Sequence, residues 1–252
     1  MHNKISQISI RHGNNPIWLS TCHSTNEFLK NLSTSDEVYN GLTISTKTQT
    51  AGKGQMGTVW ESEPFKNLTF STIFFPVDFK LSDSFYITCA VSLGIADCLK
   101  AKGYAPKIKW PNDIYLGIKK VCGILIESQL KGPIVYSFIA GIGLNVNQEI
   151  FVNQNAISLC LVDKKHYDLE VLLPEILKFL EERIRMLQKR EFEQLKHDYY
   201  ESMYLRNKVS AFRAGQDIFM GIIREVDQSG RLIIETESGN RSFSNKEVEF
   251  LK

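Results

Sequence analysis

The sequence predicts an α+β protein: a mixed β-sheet flanked by helices over residues 1–206, then a small β-barrel-like module over residues 207–252. Three observations carry this expectation. A hydrophobic share of 43% in 252 residues is enough for a full core in one large domain, with or without a small companion. Before about residue 206, short β-branched and aromatic runs are interspersed with long helical patterns. From Asn207 onward, short β runs alternate with turns such as Asp227-Gln228-Ser229-Gly230 and Ser238-Gly239-Asn240. A module of about 45 residues lies near the lower limit for independent stability, so it is expected to dock on the larger unit.

In chain order, Pro16–Ser20 reads as a short strand. Ser24 stands where a helix N-cap is needed, with Glu27 three residues on, as in a capping box. Leu42–Thr46 is β-branched and delivers the chain into a glycine-rich loop; Leu68–Phe75 is a further strand ended by Pro76. Ser82–Lys102 shows helical spacing at Phe85, Cys89, Leu93, Ala96 and Leu99, with Ser82 as its cap and Gly103 as its stop. Two short strands flank Trp110-Pro111-Asn112-Asp113, and Lys119–Glu127 follows as a hairpin partner. Ile134–Val146 is apolar on both faces and reads as a central strand, within which Gly141 and Gly143 mark the close approach of another strand or a flat ligand. Asp168–Arg190 is an amphipathic helix with Pro174 assigned to its first turn, and Glu191–Met203 is a second helical stretch held down by Tyr199 and Tyr200.

Composition narrows the function class. A net charge of +2 argues against a broad nucleic-acid surface. The five cysteines form no CxxC pair, so neither a zinc site nor a disulfide framework is indicated, and reduced thiols in a cytoplasmic protein are the simpler account. The N-terminus has no apolar signal segment, and no apolar run approaches the ~20 residues that span a bilayer.

The stretch richest in chemistry is Gln49–Trp60, with Gly52, Gly54 and Gly57 inside it and Lys53 as a cation. Backbone N–H groups in such a loop can cradle an anion, while a plain surface turn accounts for the same residues. The spacing is that of neither a P-loop nor a dinucleotide fingerprint. Capping explains Ser24 but leaves Thr25 and Asn26 as further hydrogen-bonding groups at the same helix entrance. Lys109, Asn112 and Asp113 set a cation, an amide and a carboxylate at one turn, suited to phosphate oxygens and to a divalent metal held through water. Of Lys119 and Lys120, one can point inward while the other stays solvated; Trp60 serves either the core or a wall for a ring.

Four stretches, in order and spacing, resemble the biotin–protein ligase family: Ser24-Thr25-Asn26, the loop Gly52–Trp60, Lys109–Asp113, and Gly141-Ile142-Gly143-Leu144-Asn145. The resemblance covers nearly the whole chain. It implies a class II synthetase-like catalytic domain followed by an SH3-like β-barrel, and a two-step reaction in which biotin and ATP, with Mg2+, form biotinyl-5′-AMP before a lysine of a biotin carboxyl carrier protein takes the biotin. By the same resemblance, Ser24, Thr25, Asn26 and Gln49 face the biotin head group. Lys53, Gly54 and Gln55 fold over biotin and adenylate, and Lys120 contacts both the carboxylate and the α-phosphate, with Lys53 and Lys120 as the catalytic cations. Lys109, Asn112 and Asp113 lie at the phosphate and magnesium side, Asp113 as the metal's carboxylate. Trp60 and Asn145 fall near the adenine, and Gly123 and Gly141 leave room for the ligand.

Two departures stand out. The family loop often reads Gly-Arg-Gly-Arg-x-Gly, whereas Lys53 and Gln55 occupy those arginine positions here. Lysine keeps charge without the bidentate fork, and glutamine keeps hydrogen bonding without charge. The loop is therefore expected to hold the adenylate less by charge and more by backbone N–H groups. Some family members also carry an N-terminal winged helix-turn-helix; the 23 residues before Ser24 are too few for one, so DNA binding is not expected. No membrane partner is expected, and the assembly is a monomer or a homodimer. The competing readings are a lipoate or octanoate ligase of the same fold and a non-catalytic biotin or nucleotide sensor.

Overall fold

The computed structural model describes residues 16–33 and 38–251. The N-terminal segment, expected to carry no signal peptide, lies outside them. Eight strands form the larger sheet: β1 (Ile17–Leu19), β2 (Thr43–Thr46), β3 (Leu68–Phe74), β4 (Phe79–Lys80), β5 (Pro106–Lys109), β6 (Asp113–Leu116), β7 (Lys119–Lys131) and β8 (Ile134–Leu144). Their order is β1-β2-β3-β8-β7-β6-β5, with β4 paired to the far end of β8. The β1–β2 pair is parallel and the others antiparallel, so the sheet is mixed. β8 lies between β3 and β7 within one subunit and offers no free edge for pairing across a two-fold axis.

Alternation along the strands sorts the sheet into two faces. On one, Leu68, Phe70 and Phe74 of β3 and Phe138, Ala140, Ile142 and Leu144 of β8 join the main core. The helices α2 (Phe85–Ala101), α4 (Leu169–Gln188) and α5 (Phe192–Ser202) pack there, and a short helix, α3 (Leu159–Asp163), adds Leu159 to the same core. Arg183 of α4 ties the three long helices, donating to Asp97 at 2.6 Å and Asp198 at 2.5 Å. Burial disfavours its charge, and the two carboxylates more than restore it. On the opposite face α1 (Thr25–Leu32) buries Leu29 against Leu42, Ile44, Ile73 and Ile139 in a smaller cluster.

Residues 209–250 form a second, antiparallel sheet of five strands in the order β12-β11-β10-β9-β13: β9 (Val209–Ala214), β10 (Asp217–Val226), β11 (Leu232–Thr236), β12 (Gly239–Phe243) and β13 (Glu249–Phe250). This is the arrangement of an SH3-like module. Its docking is specific: Trp110 Nε1 donates to Gly230 O at 3.1 Å, and the Tyr200 hydroxyl bonds both N–H and carbonyl of Val226 at 2.9 Å.

Three sequence expectations are corrected. α2 begins at Phe85 after a 3₁₀ turn over Leu81–Asp83, so Ser82 is not its cap; Ser84 holds that position. Pro174 is the sixth residue of α4, in its second turn, because Asp168 caps the helix by accepting from the Glu170 N–H. The stretch Leu81–Ala101 is long and apolar enough to cross a membrane, contrary to the expectation of no such run, yet 67% of that window is buried in this fold as a core helix.

Gly94 of α2 meets the backbone of α4: a methyl group there would stand 2.7 Å from Leu180 Cα. Gly94→Ala gains about 1 kcal/mol of helix propensity but incurs about 1–3 kcal/mol of overpacking against atoms that cannot turn aside. We expect a lower urea midpoint; an unchanged or higher one would show that the helices separate freely.

Candidate active site

The face that carries α1 also carries a cavity of about 570 Å³, and the strand registers explain why it is open. Thr69, Gly143 and Gly123 form one cross-strand row, and Ser71, Gly141 and Leu125 the next. Three of these six positions are glycine, so the sheet surface there is bare backbone. Asn26 lies against Gly141, and the Trp60 ring against Gly143 and Gly123. The close approach read from Gly141 and Gly143 is thus made by protein side chains.

At the entrance to α1 the Ser24 hydroxyl accepts from the Glu27 N–H, as a cap should. The Glu27 carboxylate does not complete a capping box; it pairs with Lys53 of the glycine loop. That contact lowers the Glu27 pKa and raises that of Lys53, although both side chains are about half exposed and the pair is screened. Thr25 and Asn26 turn inward into a continuous network. Gln49 Oε1 accepts from the Thr25 N–H at 3.0 Å, and the Thr25 and Ser71 hydroxyls are 2.6 Å apart. Ser71 then donates to Asn26 Oδ1 at 2.5 Å, and Asn26 Nδ2 to Glu127 at 2.7 Å. His23 Nδ1 and the Thr50 hydroxyl are hydrogen-bonded at 2.7 Å.

A second group gathers around Lys120. Its backbone is pinned by Asn155 O and the Ile157 N–H, and its ammonium group lies 2.7 Å from Asp113 and 5.5 Å from the Trp60 ring centre. Lys119 is exposed, so Lys120 is the inward lysine of the pair. Lys109 stands 5.4 Å over the Tyr115 ring and 4.9 Å over that of Phe250. Burial, with the Asp113 charge beside it, pushes the Tyr115 hydroxyl up to about 12, which keeps it neutral. Asn112 is buried, donates to Ile124 O at 3.0 Å and accepts from Gln55 at 2.5 Å. Trp60 Nε1 and Asn145 Oδ1 are among the few buried side-chain polar atoms without a partner among the described residues.

The glycine loop roofs the cavity and is closed largely on itself. Gly54 N–H donates to Thr58 O at 2.6 Å, Thr58 N–H to Gln55 O at 3.2 Å, and Trp60 N–H to Gly52 O at 3.0 Å. Several of the backbone donors expected to replace the missing arginine charge are therefore already engaged. Every site residue singled out from sequence lines this one cavity, Lys53, Gly54, Gln55 and Gly123 included. Sequence reasoning missed Ser71 and Glu127, although a hydroxyl and a carboxylate on the polar alternation of two central strands were a usable signal. It also missed Asn245, Lys246 and Phe250, for which the chain offered none.

A mixed sheet carrying a glycine-roofed cavity, with a hydroxyl–amide network in one part and a lysine cluster in another, is the frame of an enzyme pocket with separate neutral-polar and cationic ends. The chain belongs to the biotin/lipoate A/B protein ligase family, whose model matches residues 18–147, a little over half of it. It is 29% identical to the bifunctional ligase/repressor BirA of Bacillus spizizenii, over 98% of this chain and 79% of that protein. With the biotin–[acetyl-CoA-carboxylase] ligase of Mycobacterium tuberculosis it shares 30% identity, over 84% of this chain and 80% of that one. The biotin protein ligase from Aquifex aeolicus in complex with biotin and ATP superimposes with a TM-score of 0.77 at 27% identity, covering 95% of this chain and 99% of that chain.

Gly143→Ala places a methyl group against the indole of Trp60. We expect the ring to be displaced, at about 1–3 kcal/mol of overpacking, with a shift in intrinsic tryptophan emission that Val171→Ala, on the exposed face of α4, does not produce. Identical spectra would mean that the bare sheet is not what seats the ring.

Proposed function

We propose that this chain, a biotin ligase by family and fold, completes both half-reactions: it activates biotin with ATP and passes it to a lysine of a biotin carboxyl carrier domain. The observation that carries this reading is the juxtaposition of two groups in one cavity. The Thr25–Ser71–Asn26 network is preorganised to meet a ureido ring, and Lys120 stands beside it where two anions must be brought together. In the first step a biotin carboxylate oxygen attacks the α-phosphorus and the bond to the β-phosphate breaks, releasing pyrophosphate. In the second the lysine amine attacks the acyl carbon, an amide forms, and AMP leaves. Lys120 offsets the repulsion between carboxylate and phosphate, so positioning and charge do the catalysis without an enzyme nucleophile. The orphaned Trp60 donor and Asn145 acceptor suit the edge of an adenine ring.

Among the described residues no three His, Cys, Asp or Glu side chains converge. Magnesium would therefore arrive with the phosphates, Asp113 serving as its protein carboxylate through water. A cytoplasmic location belongs to the same reading and is supported by the five free cysteines, four of them buried.

ATP–pyrophosphate exchange, with biotin, lipoate and octanoate offered separately, tests the substrate; we expect exchange with biotin alone. Exchange only with a fatty or lipoyl acid would overturn the biotin assignment, and none with any acid would favour a sensor. Lys120→Ala should lower kcat about 100-fold while the melting temperature holds. Gln55→Arg should retain the adenylate longer, read as less non-specific labelling of a bystander protein's lysines, and unchanged labelling would remove residue 55 from adenylate retention.

A further inference from the structure

The charge that the glycine loop lacks at Gln55 has a counterpart elsewhere in the chain. The Gln55 side chain is held from three sides: its amide nitrogen donates to Asn112 Oδ1 and to Ile124 O, and its amide oxygen accepts from Asn245 Nδ2. Its carbonyl accepts from Lys246 Nζ at 3.2 Å. Asn245 and Lys246 belong to the turn between β12 and β13 of the C-terminal module, and both line the same cavity as Lys120 and Asp113.

That turn is built rather than loose. The Glu247 N–H donates to Ser244 O at 3.0 Å, and the Glu247 carboxylate accepts from the Ser244 N–H at 2.6 Å and from Arg231 at 3.4 Å. Lys246 sits at φ +67°, a left-handed conformation that disfavours side chains with a Cβ. A lysine is thus kept where glycine would fit more easily, and its stem points toward the glycine loop.

The four lysines lining the cavity differ in their engagement. Lys53 is paired with Glu27 and Lys120 with Asp113, while Lys109 lies over two aromatic rings. Lys246 bonds a neutral carbonyl, and among the described residues no carboxylate is paired with it. An incoming polyanion can recruit this cation without first breaking an ion pair.

We propose that Lys246 is a nucleotide-binding residue: it crosses from the C-terminal module to the phosphate side of the cavity and supplies the positive charge that Gln55 does not, with Asn245 and Gln55 as the joint that holds module and loop together. This rests on the ATP-dependent reading above. It also gives the C-terminal module a direct part in nucleotide affinity.

The test is biotin-dependent ATP–pyrophosphate exchange by the full chain and by its Lys246→Gly and Lys246→Arg variants. Glycine accepts the positive φ, so Lys246→Gly removes the charge without straining the turn. Loss of one charge-assisted contact should raise KM for ATP about tenfold, leave KM for biotin and the melting temperature in place, and be reversed by Lys246→Arg. An ATP KM in Lys246→Gly within about twofold of the parent would overturn the proposal, since a charge-assisted contact is worth more than that. A parallel rise of both KM values with a lowered melting temperature would also overturn it, in favour of a purely structural turn. Absence of exchange in the parent chain would overturn the enzymatic reading itself, a result separate from these.

Discussion

The site depends on a stretch of sheet without side chains. Gly123, Gly141 and Gly143 project nothing from the face that α1 covers, and Asn26 and Trp60 lie in the space a Cβ would take. Elsewhere on this face ordinary side chains, Ile73 and Ile139, fill the gap between strand and helix and make core. The switch from core to cavity along a single face is therefore a matter of a few residues in register. Antiparallel pairing aligns Gly123 with Gly143 across β7 and β8, so the bare patch is two strands wide.

Around that patch polar groups are fixed before any ligand arrives. Asn26 is buried, and its amide is held by Ser71 on one side and Glu127 on the other. A buried amide so constrained cannot turn to suit a wrong partner, and its orientation is set at folding rather than at binding. Lys120 is treated similarly: its backbone is sewn to residues 155–157 and its charge is held by Asp113. The ordering of these side chains is thereby part of the folding equilibrium, and less of it remains to oppose ligand capture.

The C-terminal module takes part in the site as well as docking beside it. Phe250 lies under the Lys109 ammonium group, and Asn245 reaches Gln55 in the roof of the cavity. The contacts of Trp110 with Gly230 and of Tyr200 with Val226 keep the module in register with the larger sheet. Movement of the module would therefore be felt at the glycine loop through hydrogen bonds rather than through long-range charge.

Sequence by itself determined the local elements, because strand alternation, helical period and turn chemistry act over a few residues. It marked the central strand, the amphipathic α4, the change of texture near Asn207, and the glycine loop. It also marked the four motif stretches whose side chains the fold brings to one cavity. It misplaced the start of α2 and the turn occupied by Pro174, since a 3₁₀ turn and a cap at Asp168 move helix ends by a few residues without altering the period. What only the tertiary structure decided is which distant groups meet. Ser71 and Glu127 became partners of Asn26 through strand pairing, 45 and 101 residues away along the chain. Asn245 meets Gln55 across 190 residues because a separate sheet docks beside the loop. Such contacts have no local pattern: they follow from packing two folded surfaces together, and no window of the sequence contains both sides.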